Sequence, residues 1–132
     1  MSLATLKQMR GYMVSSSAIT AIVPSNDIRV GWLRIDDQFP CITINQVSGL
    51  DVGNLGYNTS AAGSQMRRET STYQIDMYSK ASRLQTLQIA DLIVPRMISG
   101  GCRKNSDNDD YDDESQTYRQ IQTYSKITHF DD

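Results

Sequence analysis

The side chains that could carry out chemistry are few and far apart. His129 is the one histidine of the chain, so any mechanism that needs an imidazole base must run through it. Cys41 and Cys102 are the two cysteines; neither belongs to a paired-cysteine motif or lies near His129 in sequence, and both read as reduced structural thiols. No serine stands in the glycine-flanked elbow of a hydrolase. The run Asp107-Asn108-Asp109-Asp110-Tyr111-Asp112 has the carboxylate density of a calcium loop but lacks its turn glycine and its closing bidentate glutamate. Gly49, Gly53, Gly56 and Gly63 lack the strand-to-helix context and the lysine of a phosphate-binding loop. Arg67-Arg68 and Arg103-Lys104 are short basic pairs, too small for a sequence-reading nucleic-acid surface. These residues point to a binding or structural domain, with no enzyme activity, cofactor or metal expected.

Composition narrows the class. With 132 residues, 39% hydrophobic and 21% charged, the chain suits a single domain spanning 1–132. No apolar run nears the ~20 residues of a membrane helix, and the start Met1-Ser2-Leu3-Ala4 lacks a secretory signal, so the protein is expected to fold where it is made, without a membrane partner. The net charge of −2 conceals a separation. Six of the fifteen acids (Asp107, Asp109, Asp110, Asp112, Asp113 and Glu114) fall in one window, and Asp131 and Asp132 close the chain. The remainder carries thirteen basic against seven acidic groups, a mildly basic body with an acidic loop expected at 105–116.

The elements that must position these groups follow from periodicity. Leu3, Leu6, Met9 and Met13 recur at helical spacing, and Ser15-Ser16-Ser17 caps a second short helix that Pro24 stops. Ile28, Val30 and Trp32 alternate as a short extended segment that should carry the only tryptophan toward the core. Cys41 to Val47 is rich in β-branched residues and reads as a strand. Gly49 to Gln65, full of glycine, asparagine and serine, reads as a long hairpin loop and a candidate arm for a partner, with Leu50, Val52, Leu55 and Tyr57 as its contacts.

Two further strands are nearly copies. Gln74-Ile75-Asp76-Met77-Tyr78-Ser79-Lys80 returns as Gln120-Ile121-Gln122-Thr123-Tyr124-Ser125-Lys126, identical at five of seven positions. Ile75 and Ile121 should face the core, Tyr78 and Tyr124 the other side, and the extra residue Arg119 suggests a β-bulge. Between the copies lies a helix. Leu84, Leu87, Ala90, Val94, Met97 and Ile98 form its expected core stripe. Ile89, Leu92 and Ile93 fall outside that stripe and are the expected contact with a neighbouring subunit, while Pro95 should end or kink the helix near Val94. The fold class expected is α+β: a mostly antiparallel sheet of about four strands, packed on one face against two or three helices.

A bent helical start, an extended segment, the strand opening Phe39-Pro40-Cys41-Ile42-Thr43-Ile44, a long loop, then Glu69-Thr70-Ser71-Thr72-Tyr73-Gln74-Ile75-Asp76-Met77-Tyr78-Ser79 running into a helix, and a last strand together resemble the tail-completion or tail-terminator proteins of long-tailed bacteriophages. That resemblance covers almost the whole chain; the Asp-rich segment and Pro95 depart from it. It implies a virion protein made in the host cytoplasm that assembles as a homo-oligomeric ring, generally a hexamer, at the head-proximal end of the tail. Such a ring ends tail tube growth, docks the head connector or stopper, and lets genome DNA pass without sequence reading. On that footing Asp107, Asp109, Asp110, Asp112 and Asp113 would face the lumen or a partner. A head-side stopper of the neck and a small ligand-binding domain are the alternative readings.

Overall fold

The computed structural model describes residues 2–51 and 66–131. Helix α1 (Ser2–Val14) is followed by the short α2 (Ser17–Thr20), a 3-10 turn at Ser25–Asp27 and strand β1 (Ile28–Val30). Strands β2 (Cys41–Asp51) and β3 (Met66–Ser79) lead to helix α3 (Arg83–Ser99), and β4 (Arg103–Asp112) and β5 (Thr117–Asp131) end the chain. The strands form one sheet in the order β1-β2-β3-β5-β4, in which only the β1–β2 pair is parallel. The α+β class and the mostly antiparallel sheet are as expected, with five strands in place of about four.

Alternation along the strands divides the sheet into two faces. Ile28, Ile42, Ile44, Tyr73, Ile75, Met77 and Tyr124 are buried on the face that receives the helices, where Met9, Met13, Ile19, Ile89, Ile93 and Met97 meet them. The two near-copies pair antiparallel, with Ile75 opposite Gln122 and Tyr73 opposite Tyr124. This register places equivalent positions of the copies on opposite faces, because a one-residue offset inverts every side chain. Ile75 therefore lies in the core with Tyr124, whereas Ile121 shares the far face with Tyr78, correcting the expectation for the second copy. Pairing around Arg119 is continuous; the register shifts fall instead between Gln46 and Ser48 and between Lys104 and Ser106.

Helix α3 begins at Ser82, whose hydroxyl accepts from the Gln85 N–H at 3.2 Å. It continues through Pro95 to Ser99. Proline removes the N–H that would bond the Asp91 carbonyl, but Asp91 is exposed and water can serve it. The turn beyond is tied to the first helix, with Arg96 Nε donating to the Tyr12 carbonyl at 2.9 Å and Nη2 to the Ser15 hydroxyl. A knot of contacts closes the helix at Gly100. Tyr12 donates to the Gly100 carbonyl at 3.1 Å, and Lys126 donates to the same carbonyl at 2.8 Å and to the Tyr12 hydroxyl at 2.9 Å. A Cβ at Gly100 would stand 2.3 Å from Tyr12 Cε2, so Gly100→Ala must displace the ring and both lysine bonds. It is expected to lower stability by about 1–3 kcal/mol, read as an earlier urea midpoint with an unchanged slope.

Candidate functional site

The sheet has two open edges, and they carry opposite charge. At one edge lies β4, whose side chains are almost all exposed or half-exposed. The segment expected as an acidic loop at 105–116 is thus mostly strand, closed by a turn at 113–116. Its acids project to both sides. Asp107 and Asp109 stand opposite Gln122 and Gln120 on the helix side; Asp110 and Asp112 stand opposite Arg119 and Thr117 on the other. Asp107 bonds Lys104 at 2.7 Å and accepts from Gln120 and Gln122. Partial burial would raise its carboxyl, but these bonds outweigh that and hold it below the usual range. Asp109 meets Arg83 at 2.6 Å in an exposed pair, and Tyr111 and Tyr118 form an edge-to-face pair with centroids 5.3 Å apart.

The other edge is β1. Gly31 N–H donates to the Ile44 carbonyl, so by alternation Ile28 and Val30 turn their backbone groups outward. Arg10 Nε takes the Ile28 carbonyl at 2.6 Å. Around this edge opens a cleft of about 540 Å³ lined by Lys7, Arg10, Asn26, Ile28, Arg29, Val30 and Arg34. It contains four cations and no carboxylate. Arg29 is bound to Asp37 at 2.5 Å, and its Nη1 is buried with no acceptor among the described residues. Beside the cleft, the segment after β1 exposes Trp32 to 57% and Ile35 fully. The tryptophan expected in the core is therefore a surface residue, because Gly31, with φ at 120°, turns the chain out of the strand.

On the far face of the sheet, the buried carboxylate of Asp76 accepts from Arg119 at 2.9 Å, from Gln74 at 2.9 and 3.1 Å, and from the Tyr78 hydroxyl at 3.3 Å. Arg119 also lies over the Tyr78 ring, 5.7 Å from its centroid. Burial and the neighbouring Asp76 push the Tyr78 phenol well above its ordinary range, so it stays a donor. The Asp76 carboxylate is thus fully occupied by its neighbours, while Arg119 Nε is buried without an acceptor among the described residues.

No protein-family model matches the chain, and no curated protein matches it in sequence. A chain from the structure described as the virion of a native gene transfer agent (GTA) particle superposes with a TM-score of 0.76 at 6% identity, over 98% of both chains. The two chains share one fold. At that identity the gene transfer agent chain gives the architecture alone, so each surface must be read from the residues present here.

Ile89 and Ile93, expected to meet a neighbouring subunit, are buried in the domain's own core, and Leu92 packs half-buried against it. Leu84 and Ile98, expected in the core, are 64% and 55% exposed. The helix is turned so that Thr86, Ile89, Ala90, Ile93 and Met97 face inward, and Leu84, Leu87, Val94 and Ile98 line its outer side. Leu50 pairs its backbone with Thr70 inside the extended β2–β3 ladder; Val52, Leu55 and Tyr57 lie outside the described residues. Among the described residues no group of three His, Cys, Asp or Glu could hold a metal ion, and no helix is long and apolar enough to cross a membrane.

Both cysteines are free and buried. Burial, reinforced by Asp37, pushes the Cys41 thiol up to about 12, and burial raises Cys102 as well. Neither is poised as a nucleophile. Because the folded-state value is the higher one, the contribution of Cys41 to stability is constant below the ordinary thiol value of 9.0 and is lost as pH climbs from there toward about 12, and Cys102 acts in the same direction. A thiol reagent at neutral pH should leave both untouched in the native protein and label both in urea; rapid native labelling would contradict this packing.

Proposed function

We propose that the chain is a structural virion protein of a phage-like particle, forming a ring, generally a hexamer, at the head-proximal end of the tail. The observation that carries this is the end-to-end agreement of fold with a chain of a gene transfer agent virion, joined to the segment order that resembles tail-terminator proteins. The surfaces support an assembly role over a catalytic one. Both thiols are buried, the Asp76 carboxylate is occupied by Arg119, Gln74 and Tyr78, and exposed features among the described residues include the charged edges, Trp32, Ile35 and the outer side of α3.

In this reading the ring ends tube growth because its two axial surfaces differ: one takes the tail tube protein, the other the head connector or stopper, while genome DNA passes through the lumen. The apolar outer side of α3 suits a contact with one of these proteins. Particles made without the protein test the reading by electron microscopy. Overlong or unjoined tails are expected. Tails of normal length joined to heads would overturn it, and empty or leaking heads with normal tails would move the protein to the head-side stopper.

A further inference from the structure

We infer that the ring is built head to tail, the acidic β4 edge of one subunit seating against the basic β1 cleft of the next. The occupant of the cleft is thus a second copy of this chain, and the inference rests on the ring reading above. Strand directions permit it. β1 and β2 run together, β3 opposite, β5 with β2, and β4 opposite again. A neighbour placed so that the sheet continues would bring its β4 antiparallel to β1, with helices on the same side in both subunits.

Charge then matches on both faces. On the helix side α1 supplies Lys7 and Arg10, and the incoming strand supplies Asp107 and Asp109. On the other side Arg34 stands beside the Arg29–Asp37 pair, facing Asp110 and Asp112. Residues 103–116 carry six acids against Arg103 and Lys104, a net charge of −4. The acids have local partners in Lys104 and Arg83, and Asp110 has Arg119 at 4.0 Å, but such pairs on a solvated edge are weak enough to exchange. The nearby acids Asp27 and Asp36 do not line the cleft, and Asp37 is committed to Arg29. Each edge also offers apolar anchors, Trp32 and Ile35 on one and Tyr111 with Tyr118 on the other.

The same charges forbid the alternatives. Two acidic edges repel, as do two basic ones, so a two-fold dimer through like edges is disfavoured. Only the unlike pairing remains, and a head-to-tail contact repeats until rotation closes it into a ring.

The test is a charge exchange in the full chain. Lys7→Glu/Arg34→Glu leaves the cleft with two cations and two carboxylates in place of four cations; Asp110→Lys/Asp113→Lys takes residues 103–116 from a net charge of −4 to zero. Each variant alone should lose the assembled species in sedimentation, with far-UV circular dichroism reporting its folding, whereas an equimolar mixture should regain it with alternating subunits. In the wild type, the fluorescence of Trp32 should shift to the blue on assembly, and rising salt should reverse that shift. The inference is overturned if either variant assembles like the wild type, if the mixture fails to assemble, or if wild-type assembly is indifferent to salt. Its failure is separable from that of the ring reading: rings that still form in both charge variants would leave the tail role standing, while normal joined tails without the protein would remove that role whatever the edges do.

Discussion

Arg119→Met is expected to destabilise the protein by about 3 kcal/mol, seen as a lower urea midpoint at neutral pH. The substitution keeps an unbranched apolar stem and removes the charged head, leaving the Asp76 carboxylate, 1% exposed, without its cation. Gln74 and Tyr78 still donate to it, which places the loss at the lower end of what breaking a buried pair costs. Arg119 is only 24% exposed. Burial would lower its affinity for the proton, but Asp76 and then Tyr78 more than reverse this, so the guanidinium keeps its charge. Removing both charges, as in Asp76→Leu/Arg119→Met, should recover much of the loss, because a matched apolar pair avoids the desolvation of two ions. A single Arg119→Met variant as stable as the wild type would mean that Asp76 is not held as a buried carboxylate.

Ile93→Ala is expected to cost about 2–5 kcal/mol, whereas Leu84→Ala and Ile98→Ala should each fall within about 0.5 kcal/mol of the wild type as isolated subunits. Ile93 is fully buried among α1, α3 and the sheet; Leu84 and Ile98 stand on the open side of the helix. The contrast decides which face of α3 is the core. Should Leu84→Ala unfold the protein while Ile93→Ala leaves it intact, the helix would be rotated by about a third of a turn from the arrangement described.

That helix shows where sequence legibility ends. Its existence and its start soon after Ser79 follow from periodicity, but its residues carry two apolar stripes, and spacing cannot say which one a sheet covers. The answer lies in Thr86, which fits the buried side because its hydroxyl donates back to the Arg83 carbonyl at 2.7 Å. Strand β4 escapes for a different reason. Aspartate and asparagine are depleted in strands, and Arg103–Asp112 is held by its ladder to β5, with little burial. Dense charge is nonetheless a known guard of an edge strand, and Tyr111 opposite Tyr118 is the cross-strand signal that could have found it.

The repeated heptapeptide was legible as two strands and illegible in its facing. Local alternation is identical in both copies; the face is set by the antiparallel register, in which Tyr73 meets Tyr124. Register is a long-range property that no single strand encodes. The same holds for the candidate assembly surfaces. The acidic window is visible in the sequence, but the cleft opposite it gathers Lys7, Arg10, Arg29 and Arg34 from a helix, a strand and a turn, and only the fold brings them together.

The most direct measurement is a cryo-electron microscopy reconstruction of the neck of particles that contain this protein. The account predicts a closed ring of this fold between the tail tube and the head connector, with β4 of each subunit beside β1 of the next. Density for the chain elsewhere in the particle, or no ring of this fold at the head-proximal end of the tail, would contradict it.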